Sequence, residues 1–179
     1  MKKLLALIVL ALTLFLGGSA YSYHVLAPLE AETDRAWAAA DAAITARAAA
    51  APELIAFIHS YTSRGQEAFR AAEDAQKRLA AAQTPAARMA ASDALSSALG
   101  QLLAAGSRYR SIVGHPRYYA LTTSLAAAEN TLAVARRDYN NAAERYNGAL
   151  HSAPQRFYGR MLGFRDAPYF KTPRMNETK

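Results

Sequence analysis

The chain has 179 residues, a formal net charge of +7 and 43 alanines, close to a quarter of its length. This length is typical of a single domain. Alanine favours helices and adds little to the core of a sheet, so the composition disfavours an all-β fold. The sequence contains no cysteine, which excludes disulfides, thiolate metal sites, cysteine nucleophiles and lipid attachment at a lipobox cysteine.

Residues 1–26 form a candidate membrane segment. Lys2 and Lys3 precede an uncharged, mostly aliphatic run from Leu4 to Ala20. One interpretation is a secretory signal peptide that is cleaved between Ala20 and Tyr21. The other, which we favour, is an uncleaved transmembrane anchor.

The anchor interpretation extends the segment to Leu26, which gives the roughly 20 residues needed to cross ~30 Å of hydrocarbon. A buried core helix is disfavoured because the run has no amphipathic pattern. Whether the segment is a signal peptide or an anchor, Lys2 and Lys3 stay in the cytoplasm. Everything after Tyr21 is then exported, to the periplasm or cell surface. A cleaved chain would be secreted.

The exported part is expected to be three long helices. The first is predicted from Glu30 to about Ala82, with a kink at Pro52, where the helix loses an N–H donor. Arg47 interrupts its apolar stripe. The other stripe residues recur at heptad spacing, with intervals of three, four or seven residues: Trp37, Ala40, Ile44, Ala51, Leu54, Ile58, Tyr61, Ala68, Ala72, Ala75 and Leu79.

The second helix is predicted from about Pro85 to Ala105, with Thr84 as its N-cap and a leucine-rich face. A connector over Tyr109–Gly114 leads to the third helix, which starts at His115–Pro116 and ends before Pro154. Ten positions of the third helix alternate strictly at three and four residues, as in a coiled-coil seam: Tyr118, Leu121, Leu125, Ala128, Leu132, Ala135, Tyr139, Ala142, Tyr146 and Ala149.

These patterns predict an all-α protein, an antiparallel bundle of three long helices with a short C-terminal helix over about Arg156–Phe164. The expected organisation is an N-terminal anchor or signal at residues 1–26, a helical bundle domain at residues 30–164 and a basic tail at residues 165–179.

The third helix also resembles a known family. The run from Glu129 to Asn140, followed by Tyr146-Asn147, Pro154 and Gly163-Phe164, is similar in order and spacing to the EN…AR..YN…YN…P…GF signature of the LemA family. A weaker similarity lies around Arg47 and residues 52–55, where alanines replace the family's Asp, Leu and Ile and Glu53 replaces its Asn. The resemblance implies a bacterial helical domain behind an N-terminal membrane segment. It implies no defined enzymatic activity.

The residues themselves indicate no catalytic centre. None of the glutamates has a histidine three residues later, the spacing that di-metal bundles use, and the four histidines are scattered. Gly-rich phosphate loops and G-x-S-x-G motifs are absent from the sequence. We therefore predict no catalytic residues, no metal site and no cofactor.

A polar set on the third helix is the best candidate for a specific role. Its members are Glu129, Asn130, Arg136, Asn140 and Asn147. One interpretation is that these groups hydrogen-bond between helices and fix the helix register. The other is that they form a surface for a ligand or partner.

The last two dozen residues, which include the basic tail, carry a positive surplus from Arg156, Arg160, Arg165, Lys171, Arg174 and Lys179. Such a segment could bind anionic lipid or an acidic envelope polymer, or it could be solvated without a partner. Nucleic acid is not an expected partner of an exported domain.

The sequence thus predicts a membrane-anchored envelope protein without catalytic activity, which binds other envelope proteins or itself. The alternatives are a module that binds anionic lipid or an envelope polymer, and a subunit of an envelope-acting enzyme.

Overall fold

The structure is a computed structural model that describes residues 1–61 and 66–171. The described residues form helices and no strands, which confirms the all-α prediction. The helices are α1 (Lys2–Tyr61), α2 (Gln66–Ala81), α3 (Pro85–Gly106), α4 (Arg110–Val113), α5 (Pro116–His151) and α6 (Gln155–Met161).

Helix α1 joins two segments that the sequence suggested separately. It is helical from Lys2 to Tyr61, so the apolar N-terminal run continues directly into the amphipathic part. Its apolar portion has a mean hydropathy of 2.2 over 18 residues, none of them buried. By length and composition this helix can cross a membrane. The kink expected at Pro52 stays a prediction.

The prediction of one continuous helix from Glu30 to about Ala82 is wrong. The rings of His59 and Phe69 lie 4.8 Å apart, whereas ten residues along one α-helix span about 15 Å. The chain therefore turns back between α1 and α2. Gly65, a poor helix former, lies in the sequence between them, although residues 62–65 are outside the described ranges.

Helix α3 starts where the sequence predicts. Thr84 has an extended backbone, and its Oγ1 accepts a hydrogen bond from the Ala87 N–H at 3.2 Å. Pro85 occupies the first helical position, which needs no N–H donor. Both assignments are confirmed. The leucines at 95, 99 and 102 are buried.

The described residues form two compact units. The first combines residues 1–36 with residues 138–169. Its core contains Leu26, Tyr146, Leu150 and Phe164. The second combines Trp37–Arg137 with the described residues from Phe170 on. Its core is built from aliphatic side chains of several helices, including Ile44, Leu54, Ile58, Leu95, Leu99, Leu102, Ile112 and Leu132.

The predicted seam on α5 faces inward. Leu125, Leu132, Tyr139, Ala142 and Tyr146 are buried, and the other five seam positions are half-buried. None is exposed, because a period of 3.5 residues keeps these positions on one side of the helix. The coiled-coil character of this seam stays a prediction.

We expect Leu132→Asp to remove the cooperative thermal unfolding transition of the second unit. Leu132 is fully buried, and an unpaired carboxylate there would cost several kcal/mol. Val134→Asp is the matched control, since Val134 is 61% exposed on the same helix. Circular dichroism of the full chain in neutral detergent measures the effect. Unchanged melting of Leu132→Asp would contradict the inward orientation of the seam.

Candidate functional site

The second unit contains a polar cluster around a fully buried arginine. Arg47 is 0% exposed. Its Nη1 donates hydrogen bonds to Glu129 Oε1 at 2.9 Å and to Ser96 Oγ. Its Nη2 donates to the backbone carbonyl oxygen of Ser92 at 2.7 Å and to Ser92 Oγ at 3.0 Å. One side chain of α1 thereby binds groups on both α3 and α5.

A second arginine completes the cluster. Arg136 Nη2 donates to Ser92 Oγ at 2.9 Å and lies 2.9 Å from Asp93 Oδ1. The Ser92 hydroxyl therefore accepts from two guanidinium groups. The Arg136 guanidinium also lies 5.2 Å from the ring centroid of Phe170, a distance at which cation–π attraction contributes.

The cluster pairs two cations with two carboxylates. Burial lowers the pKa of the Arg47 guanidinium, an effect that the Glu129 carboxylate opposes and that the nearby Arg136 cation reinforces. The Glu129 side chain is 39% exposed, whereas that of Arg47 is not exposed at all. The free-energy cost of desolvation is therefore larger for Arg47 than for Glu129. The buried Arg47 cation needs the Glu129 carboxylate more than that carboxylate needs the cation.

The first unit uses polar side chains to hold the segment that follows α6. Asn147 Nδ2 donates to the Ala167 carbonyl oxygen at 2.9 Å, and the Ala167 N–H donates to Asn147 Oδ1 at 2.9 Å. The Tyr139 hydroxyl donates to the Pro168 carbonyl oxygen at 2.7 Å. These bonds satisfy backbone groups in a stretch without secondary structure.

Two tyrosines of the first unit have strongly raised pKa values. Burial, reinforced by the charges of Asp34 and Tyr169, raises the pKa of Tyr139 to about 12. Burial also raises the pKa of Tyr146 to about 12, and the Glu30 carboxylate, 3.5 Å from its hydroxyl, adds to this. Both phenols are therefore neutral over the whole physiological range.

The structure separates the five polar residues predicted from the sequence. Glu129 and Arg136 meet in the Arg47 cluster, and Asn147 binds Ala167 in the other unit. Asn140 is half-buried and has an interaction partner. Asn130 is exposed, and its side chain makes no hydrogen bond with any described residue.

Sequence reasoning missed four members of the cluster: Arg47, Ser92, Asp93 and Ser96. Arg47 was visible as a break in the apolar stripe, and a charge at an inward position of an alanine-rich helix predicts a buried partner. Ser92 and Ser96 are one turn apart on α3. This spacing places both serines on the same face of α3, where they interrupt an otherwise apolar surface.

The charged and hydroxyl groups of the cluster bind one another. Each of its two arginines is bound to a carboxylate and a hydroxyl, and histidine and thiol groups are absent from it. Across residues 1–61 and 66–171, no group of three or more His, Cys, Asp or Glu could hold a metal ion. The arrangement suits fixing the register of three helices rather than activating a substrate.

The comparison with known proteins now identifies the family. Residues 36–179 match the sequence model of the LemA family, which covers most of the chain and includes the whole Arg47 cluster. The chain belongs to the LemA family. The resemblance inferred from the α5 motif is thereby confirmed.

Two curated relatives of this LemA-family chain are the magnetosome proteins MamQ 1 and MamQ 2 of Paramagnetospirillum magneticum. Each is 33% identical over 92 residues, which is 51% of this chain and 34% of the relative. The chain thus spans about a third of the length of these relatives. Family membership and the apolar part of α1 together support a membrane-associated protein.

We expect Glu129→Ala to destabilise the second unit by about 3 kcal/mol, since it leaves a buried cation without its counter-charge. Arg47→Met should cost less, because a partly exposed carboxylate can be solvated. Glu53→Ala is the matched control: its pair with Arg117 at 2.8 Å is more than half exposed and is worth less than about 1 kcal/mol. Urea unfolding of the full chain in detergent measures all three. Equal effects of Glu129→Ala and Glu53→Ala would contradict the cluster's role.

The raised tyrosine pKa values predict alkaline destabilisation of the first unit. In the unfolded chain tyrosine ionises near pH 10, whereas Tyr139 and Tyr146 ionise near 12 when folded. Their contribution to the free energy of unfolding is complete below pH 10 and is lost between pH 10 and 12. Tyr146→Phe should therefore flatten the fall of melting temperature over that interval. Tyr119→Phe, at a side chain that is 72% exposed, should leave the native slope unchanged. Identical slopes for all three proteins would contradict the burial of Tyr146.

Proposed function

We propose that this LemA-family chain is a membrane-anchored scaffold without catalytic activity, whose helical part lies outside the cytoplasm and binds envelope proteins or a second copy of itself. The observation that supports this most is the cluster around Arg47. Its two carboxylates are each paired with an arginine, so neither is placed to act as an acid or base on a substrate, as an enzyme would need.

An uncleaved anchor fits the contacts of the first unit better than a cleaved signal peptide. The rings of Phe15 and Tyr158 lie 5.8 Å apart. A Cβ atom on Gly18 would lie 2.5 Å from Tyr158 Cζ, so the helix backbone at Gly18 is pressed against that ring. Cleavage after Ala20 would remove both partners of Tyr158. The exported orientation is supported by Lys2 and Lys3, which precede the apolar run.

A surface for a protein partner is available on α5. Val134 is 61% exposed, and Asn130, one turn earlier, is also exposed. Residues four apart share a face of a helix, so these two side chains form one small mixed patch. We assign the functional interpretation of the predicted polar set to Asn130, and the register-fixing interpretation to Glu129, Arg136 and Asn147.

The orientation is testable because the chain has no cysteine. Tyr119→Cys introduces one thiol at a highly exposed position of the second unit. We expect a membrane-impermeant maleimide to label this variant in intact spheroplasts. Labelling that requires permeabilisation of the membrane would place the domain in the cytoplasm and overturn the exported orientation.

The interaction is testable by photo-crosslinking in native membranes. A photoreactive phenylalanine at Val134 should give discrete protein adducts, which mass spectrometry assigns to envelope proteins or to this chain. The same probe at Arg70, an exposed position on α2, should not. Asn130→Ala should weaken the adducts without changing the melting temperature. Absence of protein adducts at Val134 would contradict the scaffold function, and turnover of envelope material by the purified chain would favour an enzyme.

A further inference from the structure

Helix α6 lies directly against the part of α1 that is apolar enough to enter a membrane. The Tyr158 ring contacts Gly18 and Phe15, and the rings of Tyr23 and Phe164 lie 6.0 Å apart. A Cβ on Gly159 would lie 2.7 Å from Leu150 Cδ1. Glycine at that position therefore lets α6 pack closely within the first unit.

The outer side of α6 is apolar and exposed. Phe157 is 62% exposed, Met161 is 68% exposed and Leu162, just beyond the helix, is 41% exposed. Three large apolar side chains in so short a segment are costly in water. They are favourable at the boundary between lipid headgroups and acyl chains, where aromatic side chains flanked by cations are common. If α1 crosses the membrane, its contacts with α6 place the short helix at that boundary.

Beside these side chains is a cavity of about 600 Å³ with a basic lining. Arg156, Arg160 and Arg165 line it, together with the apolar rings of Phe157 and Phe164. The Arg156 guanidinium lies 4.9 Å from the centroid of the Phe157 ring. The cavity thus combines guanidinium groups with an apolar wall.

Within residues 1–61 and 66–171, the protein neutralises only part of the positive charge of the cavity. Its one carboxylate, Asp166, is bound by His151 at 2.6 Å. Among the residues that the structure describes, none of the three lining arginines forms an ion pair with a carboxylate. Three arginines against one carboxylate leave a surplus of two positive charges. Guanidinium groups pair in bidentate fashion with phosphate, which makes a phosphate group the best-matched anion.

We propose that this cavity binds the phosphate headgroup of an anionic phospholipid of the same membrane that α1 enters. The apolar wall contacts the glycerol and upper acyl chain, and the arginines bind the phosphate. A soluble phosphate would use the arginines but not the apolar rings or the adjacent exposed apolar side chains. This site shares only Arg165 and Asp166 with the predicted basic tail at residues 165–179, of which residues 172–179 lie outside the described residues.

The test uses the full chain in neutral detergent micelles, titrated with phosphatidylglycerol or phosphatidylcholine, with bound lipid counted by native mass spectrometry. The test variant combines Arg156→Gln, Arg160→Gln and Arg165→Gln. The control variant combines Arg108→Gln, Arg110→Gln and Arg137→Gln, which removes the same charge from exposed arginines of the second unit. A third variant ends at Lys171 and lacks the tail.

We expect the native chain to prefer phosphatidylglycerol, and the test variant to bind it at least about tenfold more weakly, as expected for the loss of three surface cations. The control and truncated variants should bind like the native chain. All variants should keep the melting temperature of the native chain in lipid-free micelles. Arg160→Gln alone, at an exposed position, is a milder variant that should show an intermediate loss of lipid affinity.

Three results would overturn the proposal. Equal losses in test and control variants would indicate general charge attraction, and loss on truncation would assign binding to the tail. Displacement of the lipid by millimolar inorganic phosphate, with the same arginine dependence, would indicate a site for soluble phosphate. Because lipid is counted in micelles, these outcomes are independent of membrane orientation and of protein partners.

Discussion

The second unit depends on one constraint: the charge of a guanidinium buried among alanine-rich helices must be matched by an opposite charge. Arg47 is fully buried, and its partners come from two other helices. Alanine side chains bury little area and interdigitate weakly, so they specify helix register poorly. We propose that the buried cation specifies the register, because any sliding of α1 past α3 or α5 would leave that charge unpaired. Arg136 connects α5 to α3 in the same way, through its contacts with Ser92 and Asp93.

Much of this fold could be predicted from the sequence, for physical reasons that differ between elements. The strict three-four alternation of α5 indicated its inward face, and Thr84–Pro85 indicated the start of α3, because local chemistry determines both. The turn between α1 and α2 was missed. An apolar stripe continues in phase across residues 58–72 of the sequence, and only the tertiary contact of His59 with Phe69 shows that the stripe belongs to two helices. The periodicity of apolar residues indicates which face of a helix is apolar, but it does not indicate whether the chain reverses direction between two helices.

The polar residues show the same limit. Heptad spacing grouped Glu129 with Arg136 and Asn140 with Asn147, but spacing along one helix cannot identify partners on others. Glu129 binds an arginine 82 positions earlier, and Asn147 binds a backbone group 20 positions later. The cavity beside α6 could not be predicted either, since its arginines were counted in the sequence only as part of the positive surplus of the last two dozen residues. These arginines lie beside α6, which packs against the apolar part of α1, and this location is the reason that we propose a membrane lipid as their ligand.

The most direct test of the account is a double-mutant cycle between Arg47 and Glu129, with unfolding free energies of native chain, Arg47→Met, Glu129→Gln and the double variant measured in urea. If the buried cation fixes the helices through this carboxylate, the two changes are coupled and the double variant is less damaged than the sum of the single ones by about 2 kcal/mol. Additivity within about 0.5 kcal/mol would show that the two side chains act independently and would contradict the account.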